Sequence, residues 1–197
     1  MCDLEDKRDK ERNDEHDDDD ERVTSVNNEI YFYTGVNKSS VLDLHKEIKR
    51  IGIVSKQISI EMGTPEQEIV LHINSPGGSA VDGILASDLI RSSIVPVLTV
   101  VEGECSSAAT IMSVSGHKRS MMRNSVMLIH QLSTQFWGSF ANLQDEMANC
   151  ELLMSKIIET YLVYTKIPKK QLSGILKHDL FFDAETCLKY KLIDRII

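Results

Sequence analysis

Ile69-Val70-Leu71-His72-Ile73-Asn74-Ser75-Pro76-Gly77-Gly78-Ser79 passes from a β-branched apolar run into a turn made of Asn, Ser, Pro and Gly. A short apolar run bounded by turn residues predicts a buried strand. A helical pattern follows from about Ala80 to Ser92, and Val97-Leu98-Thr99-Val100-Val101 reads as the next strand. Strand, helix and strand in that order make a βαβ unit, whose crossover requires parallel strands. The chain is therefore expected to be α/β with a largely parallel sheet.

Upstream of this unit, Val41, Leu44, Ile48, Ile51, Ile58 and Met62 recur at helical spacing. They predict one long helix, with Ser55 as the break in its apolar stripe and Gly63-Thr64-Pro65 as its stop. Glu29-Ile30-Tyr31-Phe32-Tyr33 before it reads as the first strand, ended by Gly35. Downstream, Gly103 precedes the small residues Cys105-Ser106-Ser107-Ala108-Ala109, which enter the apolar pattern Ile111, Met112, Val114. A strand-to-helix turn there sets Ser107 near a helix start. Strand-like runs follow around Ser120–Met122 and at Val126-Met127-Leu128-Ile129-His130. A second long helix is expected from about Ser139 to Tyr164, and a short one from Pro168.

Charge is unevenly spread. Residues 1–22 hold twelve acidic against five basic side chains, most of the net charge of -8. Such a segment repels itself and buries little, so residues 1–28 are expected to form a disordered acidic tail and 29–197 a single domain. The near-neutral body offers no electrostatic footprint for nucleic acid. No apolar run approaches the ~20 residues that span a bilayer. The four cysteines are widely spaced, with no metal-ligand pattern, and read as free thiols of the cytoplasm.

Peptide-bond cleavage by acyl transfer needs a hydroxyl, a base near neutral pKa, an acid to orient that base and N–H donors for the oxyanion. Ser107 follows a glycine turn at a helix start, His130 ends an apolar strand, Asp179 precedes Leu180-Phe181-Phe182, and Gly77-Gly78 can bring backbone amides close to a ligand. Each alone has a plain reading: helix packing for the small residues, a surface group for the histidine, a cap for the aspartate, a turn for the glycines. Their joint presence is the signal.

Four separated motifs then resemble the proteolytic subunit of the Clp protease. Ile73-Asn74-Ser75-Pro76-Gly77-Gly78 is similar to that family's INSPGG, and Gly103-Glu104-Cys105-Ser106-Ser107-Ala108-Ala109 to its nucleophile motif. Leu128-Ile129-His130-Gln131 resembles its MIHQ, and Asp179-Leu180-Phe181-Phe182-Asp183-Ala184 its DRFxSA stretch. The resemblance runs from about residue 29 to the end. It implies a spiral of βαβ units of the Clp protease/crotonase type with a protruding handle helix. It implies a triad of Ser107, His130 and Asp179, with the amides of Gly78 and Ala108 as oxyanion hole. Ser106 is the rival nucleophile, and the family's spacing from the glycine selects Ser107. A serine endopeptidase acting on unfolded protein or peptide follows, with no metal or organic cofactor. Also implied are a homo-oligomeric ring (a tetradecamer) and an AAA+ Clp ATPase partner that consumes the ATP. In place of the family's proline after HQ stands Leu132, and the acidic tail replaces its N-terminal loop. Alternatives are a specialised viral or phage protease of this type, a crotonase-type acyl-CoA enzyme and a non-catalytic ring subunit.

Overall fold

The computed structural model describes residues 23–197; of the acidic tail expected over 1–28, residues 1–22 lie outside the described residues. Residues 23–28 of that stretch are part of the fold. β1 (Val23–Val26) pairs antiparallel with β2 (Glu29–Phe32) through the two-residue turn Asn27-Asn28, with Asn27 at φ 56°. Asparagine tolerates that left-handed conformation, and two-residue loops of this kind match the strand twist. The hairpin is tied down by Ser25, whose hydroxyl donates to Glu47 at 2.6 Å.

α1 (Lys38–Met62) begins at a capping box: Asn37 Oδ1 accepts from the amides of Ser39 and Ser40, and the Asn37 amide donates to Ser40 Oγ. Val41, Leu44, Ile48 and Ile51 are buried as their spacing predicts. Ser55, the break in the stripe, is buried too, and its hydroxyl both donates to and accepts from the Gln67 backbone. Beyond it, Ile58 and Met62 are exposed. A helix of this length runs about 37 Å, whereas the central strand β3 (Ile69–Ser75) spans only about 23 Å, so the last turns overhang the sheet.

α2 (Ala80–Arg91) returns the chain to β4 (Val97–Ser106), and α3 (Ala108–Val114) leads to β5 (Lys118–Met121). β6 (Val126–Leu128), α4 (Phe140–Tyr164), α5 (Lys169–Ile175), β7 (Phe181–Phe182), α6 (Ala184–Lys189) and β8 (Arg195–Ile196) complete it. The main sheet runs β1-β2-β3-β4-β5-β8, parallel except at the β1-β2 edge. Along the edge away from β3, β4 serves two partners. Its first half pairs with β5 through Leu98–Val101, and its second half, past Gly103, pairs with β6 through Glu104–Ser106. β6 in turn pairs antiparallel with β7. This split carries the end of β4 away from the main sheet toward the strand that leads to His130. The expected α/β architecture is present, and α4 is its projecting helix: only Ile157 and Tyr161 of that element are buried. Among the described residues no helix is long and apolar enough to cross a membrane.

Candidate active site

Ser107 occupies the corner between β4 and α3 with φ 54° and ψ -125°, a region that side-chain-bearing residues rarely enter. Two contacts hold it there. Its amide donates to the Leu128 carbonyl at 2.8 Å, tying the corner to β6. From the other side, Gly77 (φ 91°) lies so close that a Cβ on it would stand 2.5 Å from the Ser106 carbonyl and 2.6 Å from the Ser107 Cβ. A nucleophile raised on a strained strand-to-helix corner presents its Oγ outward. Ser106 points elsewhere: it is buried and donates to the Glu104 carboxylate at 2.6 Å.

The Gly77-Gly78 turn is pinned by a parallel bridge to Val36. Val36 donates to the Gly77 carbonyl and Ser79 donates to the Val36 carbonyl, both at 2.8 Å. A side chain on Gly78 (φ 147°) would collide with that carbonyl. The bridge uses the groups of residues 77 and 79, so the Gly78 amide has no backbone acceptor among the described residues, and neither has the Ala108 amide at the start of α3.

Ser107, Ala108, Gly78 and His130 line one small cleft, closed by Leu132, Ile111, Ile157 and Tyr161. His130 reaches it from beyond β6, and its Nδ1 lies 3.3 Å from Oδ1 of Asp179. The histidine is largely covered, but the aspartate side chain is 77% exposed. No hydrogen bond links Ser107 to His130 in this structure; contacts of this kind commonly tighten only around substrate. The arrangement therefore unites all five expected residues, with the carboxylate as its most solvated member. A larger groove, between α2 and α4 at Val81, Ile84, Leu152 and Val163, holds none of them.

The segment between His130 and α4 forms no strand. The Gln131 amide donates to the Leu176 carbonyl at 2.8 Å, and the Leu132 amide to the Met154 sulfur at 3.1 Å, so those two donors are already engaged.

No group of three or more potential metal ligands occurs among the described residues. The buried thiols do not compete as nucleophiles: burial pushes Cys187 up to about 12 and Cys105 higher still. Two residues that touch the site were not singled out from sequence, Thr110 and Tyr161. Thr110 sits inside the apolar start of α3, and Tyr161 belongs to the ordinary apolar stripe of α4. Neither carries a local mark of its contact with the other.

The Clp protease family model matches residues 26–197. The chain is similar to the ATP-dependent Clp protease proteolytic subunit of Deinococcus radiodurans, at 32% identity over 147 residues, covering 74% of this chain and 72% of that protein. Among solved structures, a mutant ClpP1 from Listeria monocytogenes matches with a TM-score of 0.75 at 19% identity, over 87% of this chain and 91% of that one. The structural likeness establishes the ClpP/crotonase fold.

Proposed function

Because the chain belongs to the Clp protease family, we propose that it is a serine endopeptidase that cuts unfolded polypeptides as the proteolytic component of an ATP-dependent assembly. The observation that carries this reading is the strained Ser107 corner sharing one cleft with His130, whose Nδ1 lies 3.3 Å from Asp179.

In this mechanism His130 Nε2 takes the proton from Ser107 Oγ as that oxygen attacks the peptide carbonyl. Asp179 accepts from Nδ1, selecting the tautomer that leaves Nε2 free and stabilising the imidazolium. The amides of Gly78 and Ala108 receive the oxyanion. His130 then protonates the leaving amine, and water attacks the acyl-enzyme by the same route in reverse. Peptide hydrolysis of this kind consumes no cofactor.

Family membership also supports a homo-oligomeric ring and an AAA+ ATPase that feeds it, working in the cytoplasm. A crotonase-type acyl-CoA activity uses the same fold, but a serine on a strained corner beside a histidine–carboxylate pair favours the peptidase.

Fluorophosphonate labelling of the purified protein, resolved by size-exclusion chromatography, tests the reading. Wild type and Ser106→Ala are expected to label in a ring-sized fraction, and Ser107→Ala to lose labelling altogether. Labelling that follows Ser106, or a well-assembled wild type that takes no probe, would refute it.

A further inference from the structure

Beneath the cleft, a chain of hydrogen bonds runs from α4 to the nucleophile's own peptide unit. Thr110 Oγ1 lies 2.6 Å from the Ser107 carbonyl and 2.5 Å from the Tyr161 phenolic oxygen. Both side chains are buried, Thr110 at 0% and Tyr161 at 1% exposure. Their roles are set by proton count. A carbonyl only accepts, so the single Thr110 proton goes to Ser107, and the Tyr161 hydroxyl must be the donor to Thr110. Burial keeps that phenol protonated, well above its ordinary range.

A threonine bonding back to the carbonyl three residues earlier is common at helix starts. The same carbonyl also accepts the Thr110 amide at 3.0 Å; what is particular here is the hydroxyl behind Thr110 Oγ1, brought from a distant element, and the carbonyl on which the chain ends. In a planar trans peptide the C=O and the following N–H point in opposite directions. The carbonyl of Ser107 and the N–H of Ala108 belong to the same peptide plane. Holding that oxygen down toward the core therefore aims the Ala108 amide up into the cleft.

We propose that Thr110 and Tyr161 are positioning residues, a buried hydroxyl relay that locks the Ser107–Ala108 peptide with its N–H facing the oxyanion. The relay rests on the peptidase reading above. It also makes the buried end of α4 a participant in the geometry of the nucleophile: Tyr161 is one of the two buried residues of that helix and lines the cleft itself.

The test uses the full chain and two readouts, the rate of fluorophosphonate labelling and kcat against KM on a fluorogenic peptide. Loss of one oriented donor costs about 10²–10³ in rate. A relay that only biases the donor's orientation should cost less: about 10–100-fold in kcat for Thr110→Val and about 3–10-fold for Tyr161→Phe, with KM within about twofold. Thr110→Ser keeps the hydroxyl and should restore both readouts to within about twofold of wild type. Because Tyr161 acts through Thr110, the double variant should be no slower than Thr110→Val alone. Folded single variants with unchanged labelling would overturn the relay, as would a Thr110→Ser as slow as the valine, or a defect confined to KM. Wild-type protein that never labels would instead remove the peptidase reading, and the relay with it.

Discussion

Gly77 shows how closely the Ser107 corner is built. An added methyl would meet the Ser106 carbonyl at 2.5 Å and the Ser107 Cβ at 2.6 Å, on a backbone at φ 91° that disfavours any side chain. Neither neighbour can retreat cheaply, since one is backbone and the other is the Cβ of Ser107, whose own amide is tied to Leu128. Gly77→Ala is therefore expected to destabilise the fold by about 2–4 kcal/mol and to cut peptide hydrolysis by at least about 10²-fold. Thermal unfolding and fluorophosphonate labelling measure the two effects, and a variant near wild type in both would show that the corner yields where the geometry says it is rigid. The same scale sets the two adjacent serines apart. Their identity in the chain leaves either one eligible on chemistry alone, but Ser106 is buried against Glu104 whereas Ser107 lines the cleft.

The helices and strands follow local rules that can be read in advance. The α1 stripe, the Gly63 stop and the capping residues are all sequence-local, because a helix of period 3.6 repeats its face every few positions. The cap is the most exposed of these devices to a direct test. Asn37→Ala removes the acceptor for two amides and should cost about 1 kcal/mol, seen as a fall of a few degrees in Tm with labelling retained. No change in Tm would mean that water or Ser40 satisfies the helix start equally well. Other elements escaped such reading. β1 is short and at an edge, with two of its four residues exposed, so its alternation is weak, and only Asn27-Asn28 marks it. α6 (Ala184–Lys189) spans under two turns, too short for its apolar spacing to register, although Asp183 caps it by accepting the Thr186 amide at 2.9 Å.

For the whole molecule, the open question is what covers α4. Phe140, Leu143 and Met147 share one face of its outer half and are each more than half exposed, with Trp137 at 99% just before them. Such a stripe on a projecting helix is costly in water and is expected to be an assembly surface in the proposed ring. Met147→Glu should shift the protein from a ring-sized to a much smaller species on size exclusion, with its circular dichroism unchanged. Elution at the wild-type position would place the ring contacts elsewhere.

The alternation of strands and helices, the glycine turn and the order of Ser107, His130 and Asp179 along the chain were legible in the amino-acid sequence alone. They depend on periodicity, turn chemistry and motif spacing, which are properties of neighbouring residues. The split of β4 between β5 and β6, the contact of His130 with Asp179 and the chain from Tyr161 through Thr110 to Ser107 were decided by the tertiary structure. Each joins residues far apart in sequence. Which of them meet depends on how all the elements pack around the core at once, and no local pattern encodes that choice.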